Sequence, residues 1–415
     1  MQKKRTILIS AYGCEPEKGS EAGVGWNWVL QLAKENNLHV ITRANNKESV
    51  ETNLPQDVAA NVVFHYYDTN KFFRKIKKGD KGLYFYYFLW QIGICSLVRK
   101  LLRQTHFDYT MHLTFGSLWM PTFLPFFKVP FIWGPIGGGD CVPKPFLRDL
   151  PLKQRLIQSF RYILNGTSAL NPLIAFPSRK AVSIIVRTEN TGFVIPKKYR
   201  YKVDTMLETA MSQTEVERSA QSKEKCDPAT IRLITTGRLV PFKNIKAIIS
   251  ALKYVPSSYK IRLTVIGSGG EAEKLRNQIV RDSILHEVEF IPQIPRNEVL
   301  NHLSESDIYV FPSLREGGSW SLMEAMAIGL PVICLKWTGM EIITDDHSAI
   351  RLPVTNPQQL PEDIASAICR LIDDAESRTQ MGKAGQKRIK DVFNWDMKGK
   401  FMETVFTKLE NNNYR

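Results

Sequence analysis

The run IYVFPSLREGGSWSLMEAMAIGLPVICL, residues 308–335, decides how this chain folds. An apolar strand, IYVFPS (308–313), passes through a glycine-bearing turn into a helix over about 320–329, and PVICL (331–335) follows as a second strand. Both strands are apolar at nearly every position, which implies burial on both faces under covering helices, as in a parallel sheet. The same alternation extends upstream. IRLITTG (231–237) leads to a helix over 243–254, IRLTVIG (261–267) to one over 271–281, and VEFI (288–291) to one over 295–304. Before a polar segment at 208–230, strands are expected at TILIS (6–10), LHVIT (38–42), NVVFHYY (61–67), YTMHL (109–113), PFIWG (130–134), AVSIIVR (181–187) and YKVDTML (201–207), with helices at 26–35, 83–104 and 151–164. The expectation is an α/β chain of two doubly wound parallel-sheet domains. The first covers 1–208, a linker 209–230, the second 231–394, and a C-terminal helix within 395–415 packs back on the first. Crossover handedness places ligands at the carboxyl ends of such strands.

Length agrees with two domains, since 415 residues far exceed the ~150 of one typical domain. Apolar residues at 43% and charged residues at 23% exclude a disordered, collagen-like or coiled-coil chain. A net charge of +15 makes polyanions plausible partners: nucleic acid, anionic membrane or phosphorylated metabolites. Six scattered cysteines (Cys14, Cys95, Cys141, Cys226, Cys334, Cys369) contain no C-x-x-C pair, which suits a reducing compartment. The N-terminus has only a five-residue apolar run, too short for a secretory signal. The uncharged stretches 82–98 and 109–127 fall short of the ~20 apolar residues of a membrane span. A cytoplasmic protein is expected, at the inner face of the membrane if it meets one.

The chemistry concentrates in 313–335. Glu316 sits at a strand end and can bind the hydroxyls of a polyol, whereas Glu324, one turn into the helix, can accept both hydrogen bonds of a vicinal diol such as ribose. Gly317 and Gly318 let backbone approach a ligand closely, and the helix start offers the free N–H groups of Ser321 and Leu322 to an anion. GRLVPFKN (237–244) follows the first strand of the same sheet, so Arg238 and Lys243 stand on its ligand edge and can neutralise a diphosphate. An isolated E-x7-E would be a solvated surface pair. Beside these cations it reads as a nucleoside diphosphate site.

These segments, with LTVIGSGG (263–270), FIPQIPRNEVLNHLSESDIYVFPS (290–313) and FNWDMKGKFMETVF (393–406), resemble the retaining glycosyltransferases of family 4, in the family's order and spacing. The resemblance implies the GT-B fold, two Rossmann-like domains facing across a cleft. It assigns Arg238 and Lys243 to the donor diphosphate, Glu316 to the donor sugar and catalysis, Glu324 to the ribose, and the peptide of Ile294 to the nucleobase. One departure is Gly318-Ser319, where the family usually has an aromatic residue and glycine.

The first half resembles the family less tightly. YGCEPEKGSEAGVGWNWVLQLAKE (12–35) stands where the family has a glycine-rich loop, with Gly23 and Gly25 expected beside the donor phosphate and acceptor. Its GVG begins a dinucleotide fingerprint, but Trp28 occupies the third glycine position and no acidic residue follows the second strand, so NAD is excluded. His112 ends a strand where the family often touches the donor sugar; a lone histidine is otherwise a satisfied structural one. In WGPIGGGD (133–140), similar to a segment of enzymes of bacterial surface-polysaccharide synthesis, Asp140 is either an acceptor ligand or a turn former.

The expected partners are a nucleotide sugar and a glycan or lipid-linked acceptor. The basic run KFFRKIKKGDK (71–81) before the aromatic LYFYYFLW (83–90) gives a membrane-surface contact through 71–90, or else a solvated loop and a buried helix. No base-reading motif supports nucleic acid. No D-x-D and no metal-spaced cluster occurs, so neither metal nor cofactor is expected, in line with the family's metal independence. The competing readings are a sugar-nucleotide epimerase of the same fold and a non-catalytic sugar-nucleotide-binding partner of another transferase.

Overall fold

Strands β1 (Thr6–Ala11), β2 (Asn37–Arg43), β3 (Val62–Tyr67), β4 (Tyr109–Thr114), β5 (Phe131–Ile136), β6 (Ala181–Val186) and β7 (Val203–Thr205) form one sheet in the order β3-β2-β1-β4-β5-β6-β7. Every pairing in it is parallel. The computed structural model describes residues 4–16, 18–70, 82–212, 215 and 230–411. The chain divides into two units, one of residues 1–139, 165–208 and 395–415, the other of 140–164 and 209–394.

In the first unit, helix α1 (Ser20–Ala33) follows β1 and helix α2 (Leu83–Gln104) precedes β4. Helix α2 buries Tyr86, Tyr87, Trp90, Ile94, Val98 and Leu101 in a core shared with Leu8, Phe131, Trp133 and Ile184. The aromatic stretch 83–90 is thus partly core, while Tyr84, Phe85 and Phe88 remain exposed. The basic run 71–81 lies outside the described residues.

The second unit has its own six-stranded parallel sheet, ordered β10-β9-β8-β11-β12-β13. Its strands are β8 (Thr230–Thr236), β9 (Lys260–Ile266), β10 (Glu287–Ile291), β11 (Ile308–Phe311), β12 (Val332–Leu335) and β13 (Ala349–Leu352). Residues 140–164, including most of helix α3 (Leu152–Gly166), pack here, although the sequence reading puts them in the first domain. The physical reason is local bonding: Lys246 pairs with Asp149, and Trp337 Nε1–H is donated to the Cys141 carbonyl at 3.1 Å. Most of the expected linker 209–230 lies outside the described residues, but Thr209 and Ala210 pack within this unit. Its helices are α4 (Ile245–Ala251), α5 (Ala272–Arg281), α6 (Arg296–Ser304), α7 (Trp320–Ile328), α8 (Thr338–Ile343), α9 (Leu360–Asp373) and α10 (Ala375–Val392).

The chain returns to the first unit in helix α11 (Trp395–Asn411). Trp395 meets Trp28 edge to face, Arg5 pairs with Glu403 and Glu410 at 2.8 and 2.6 Å, and Phe406 lies against Tyr109. Two Rossmann-like parallel-sheet units of this kind constitute the GT-B fold. Among the described residues no helix is long and apolar enough to cross a membrane.

Candidate functional site

In the second sheet the strand order reverses between β8 and β11, so the loops leaving these two strands lie side by side at their carboxyl ends. The loop after β8 carries Arg238 and Lys243, and the loop after β11 carries Glu316. Gly237 opens the first loop at φ 140°, a conformation only glycine takes without strain, and donates its N–H to the Ile266 carbonyl at 2.9 Å. A tight turn over Pro241–Lys243 then presents the lysine, and Asn244 in the left-handed region starts α4.

Here the sequence expectation meets its geometry. Lys243 Nζ lies 2.5 Å from Glu316 Oε1, both side chains only 13% exposed, and the ammonium stands 4.8 Å over the Phe311 ring. Ser313 Oγ–H donates to the same carboxylate oxygen at 2.7 Å. A second loop grips the Glu316 peptide. Its N–H is donated to Thr338 Oγ1 at 3.3 Å, and its carbonyl accepts from Gly339 N–H at 3.1 Å. Thr338 holds φ 52°, a strained place for a β-branched residue and of the kind that clusters at functional sites. A Cβ on Gly339 would stand 1.8 Å from the Gly317 carbonyl oxygen. Gly339→Ala is therefore expected to push the Glu316 loop away and to cost about 1–3 kcal/mol, read as a lower thermal midpoint. No motif in the sequence marks Thr338 or Gly339; only folding brings them to Glu316.

Glu324 is buried on α7, and Arg296 Nε donates to its Oε1 at 2.6 Å. The same guanidinium reaches Glu215 at 3.0 Å. Burial raises the Glu324 carboxyl pKa and Arg296 opposes it. Arg296 was not singled out by sequence reasoning, its one signal being its place at the start of α6, just after Ile294, on the ligand edge. Tyr309, buried with its hydroxyl 2.9 Å from Thr236 Oγ1, has its pKa raised by burial first, and the charges of Glu324 and Glu316 add to this. Arg238 is exposed and makes no ion pair with any described residue. Ile294 is half-buried before the Pro295 cap of α6.

The start of α7 is capped by Ser319, whose Oγ takes the Leu322 N–H at a loose 3.5 Å and lies 3.1 Å from Ser321 Oγ. Leu322 therefore has a partner where the sequence reading expects a free donor. Gly318 explains the departure from an aromatic residue at this turn: Thr209 Oγ1 stands 2.0 Å from where its Cβ would be. Trp320 Nε1–H also bonds the Ala210 carbonyl at 2.9 Å, so residues 209 and 210 form one wall of the turn.

Asp140, expected on the acceptor side of the first domain, is instead buried in the second unit. Its charge acts on Arg315, whose pKa is lowered by burial and Arg161 while Glu316 and Asp140 resist. Arg315 also lies 4.6 Å over the Phe242 ring.

In the first unit, His112 lies in β4, 1% exposed, with Nδ1 unpartnered among the described residues. Burial pushes its pKa down to about 4, against the Phe115 backbone, so at neutral pH it is an uncharged imidazole. Because the folded value lies below the ordinary 6.5, the stability this histidine confers is complete above pH 6.5 and is lost as the pH falls toward 4. The loss is on the order of 3 kcal/mol. Urea unfolding at both ends of this window is expected to show it, and His112→Gln to flatten it.

Gly23 and Gly25 are not in a loop but inside α1. Gly25 serves packing: its Cβ would stand 2.0 Å from the Gly13 carbonyl oxygen and 2.6 Å from the Thr114 methyl. The positive end of α1 is already filled by Glu21, which accepts from Gly116 N–H at 2.8 Å and Arg187 at 3.2 Å. Gly139 is likewise packed, its Cβ position 2.4 Å from Thr191 Cα. Among the described residues no group of three or more His, Cys, Asp or Glu could hold a metal.

Residues 215–388 match the family model described as "Glycosyl transferases group 1". An uncharacterized glycosyltransferase of Methanocaldococcus jannaschii is 29% identical over 185 residues, 44% of this chain and 46% of that protein. The amylovoran biosynthesis glycosyltransferase of Erwinia amylovora is 27% identical over 172 residues, 40% of this chain and 41% of its own. The matched segment spans less than half the length of these relatives. A crystal structure of an Anabaena protein in complex with UDP superposes with TM-score 0.60 at 13% identity, over 98% of this chain and all of that one. Together these findings show the GT-B fold, with residues 215–388 similar to group 1 glycosyl transferases.

Proposed function

We propose that the chain transfers a sugar, with retention of configuration, from a nucleotide donor to a glycan or lipid-linked acceptor in the building of a bacterial surface polysaccharide. The observation that carries this reading is the Lys243–Glu316 pair, which unites two loops of the switch point inside the segment matching the group 1 model. The amylovoran relative and the UDP complex of the Anabaena structure support the polysaccharide context and the nucleotide.

In this reading the leaving diphosphate takes up Arg238, Lys243 and the Ser321 N–H at the start of α7, and Leu322 N–H joins them on leaving its loose bond to Ser319 Oγ. They meet charge that grows as the sugar–phosphate bond breaks. Lys243 must part from Glu316 to reach a phosphate oxygen, which frees the carboxylate for the donor sugar, while the turn of Gly317 and Gly318 lets backbone close on it. Glu324, held by Arg296, accepts the ribose hydroxyls, and the Ile294 peptide borders the base. Same-face attack, with the leaving phosphate oxygen taking the acceptor proton, needs no protein nucleophile. His112, a neutral group of the first unit, is assigned to the donor sugar, and Asp140, whose charge acts on Arg315, to an acceptor hydroxyl. Protein cations and a helix end meet the diphosphate charge without a metal ion. The work would be done in the cytoplasm, at the inner face of its membrane.

A thermal-shift screen of UDP-, GDP-, ADP- and CDP-sugars tests the reading. One base is expected to raise the midpoint by several degrees through mass action, equally with and without EDTA. Stabilisation by none of them, or only with added divalent metal, would overturn it.

A further inference from the structure

Helix α3 differs from the other long helices of its unit. Helix α9 buries Leu360, Ile364, Ala367, Ile368 and Leu371, whereas α3 buries only Gln158. Leu152, Leu156, Phe160 and Ile163 recur at spacings of four, four and three residues along one face, and they are 63%, 61%, 58% and 61% exposed. Ile157, 47% exposed, widens the stripe, which runs ~16 Å along the helix.

The charges around this stripe have one sign. Residues 144–166 contain Lys144, Arg148, Lys153, Arg155 and Arg161 against a single acid, Asp149, which is engaged by Lys246. Lys144, Arg148 and Lys153 are exposed. Arg161 donates Nε–H to the Asp140 carbonyl at 2.9 Å and so borders the helix from its inner side.

We propose that α3 docks the protein on an anionic lipid surface, its aliphatic and aromatic stripe entering the headgroup boundary while the cations meet lipid phosphates. Charge selects this occupant. A second copy of the chain would bring two sets of like cations together across the stripe, whereas an anionic bilayer complements both the stripe and its rim. The surface is separate from residues 71–90, and the proposal does not rest on sugar transfer.

The test is flotation of the full chain with phosphatidylcholine vesicles, with and without phosphatidylglycerol, beside a Leu156→Ser/Phe160→Ser variant. Both side chains are exposed, so the fold should persist, as checked by circular dichroism. The wild-type chain is expected to float with phosphatidylglycerol vesicles, less so at high salt, and the variant to lose about tenfold or more in partition. Phe160→Trp should show a blue shift in its added fluorescence on vesicle addition. Absence of wild-type flotation, or equal flotation of the double variant, would overturn the proposal. So would a wild-type dimer that the variant dissociates, since that would assign the face to a second copy.

Discussion

Glu316→Gln is expected to lower the transfer rate by about a hundredfold to a thousandfold, while nucleoside diphosphate affinity holds level or rises. The carboxylate sits against Lys243 and under Ser313 Oγ–H, and its peptide is fixed from both sides by Thr338 and Gly339. The arrangement holds the carboxylate in a fixed place, ready to meet charge that develops on the sugar during the reaction. Glutamine keeps shape and volume but removes the charge that competes with phosphate for the ammonium. The ground state should therefore bind nucleotide at least as well, and the deficit should fall on turnover. Steady-state kinetics beside calorimetric titration of the nucleoside diphosphate separate the two effects. A variant within a few-fold of wild-type turnover would remove Glu316 from the chemistry.

Lys243→Met should act on the other quantity. A charge-assisted hydrogen bond to phosphate is worth about 1.5–3 kcal/mol, so affinity for the nucleoside diphosphate is expected to fall about tenfold to a hundredfold. Methionine fills the space over the Phe311 ring, which limits loss of packing. Glu316 is then left with the Ser313 hydroxyl and the charge of Arg315, and the empty protein should lose stability as well. Calorimetry reads the first effect and denaturant unfolding the second. Unchanged affinity would move the diphosphate elsewhere.

The architecture was legible because a parallel sheet buried on both faces leaves an apolar run at each strand, and twelve of the strands fall within or near such runs. Strand β13 escaped, since AIRL is four residues long with Arg351 in its midst. Glu316, Glu324 and Lys243 were legible from residue type and position relative to strand ends. Arg296, Thr338 and Gly339 were not, because their importance lies in contacts made only after folding. The glycines misled in one place. Glycine is a poor helix former, so 20–25 reads as loop, yet α1 needs Gly25 to reach the Gly13 carbonyl. Residues 140–164 show no change of composition where they leave one unit for the other. Only their bonds to Trp337 and Lys246 reveal the transfer.

Helix α11 makes the first unit a late arrival during synthesis. Arg5, Trp28 and Tyr109 emerge from the ribosome early, and their partners Glu403, Glu410, Trp395 and Phe406 only after nearly the whole second unit has been translated. Until then the nascent first sheet keeps an uncovered apolar flank, a target for chaperones and proteases. Shortening the chain before residue 395 should therefore harm the solubility of the end made first.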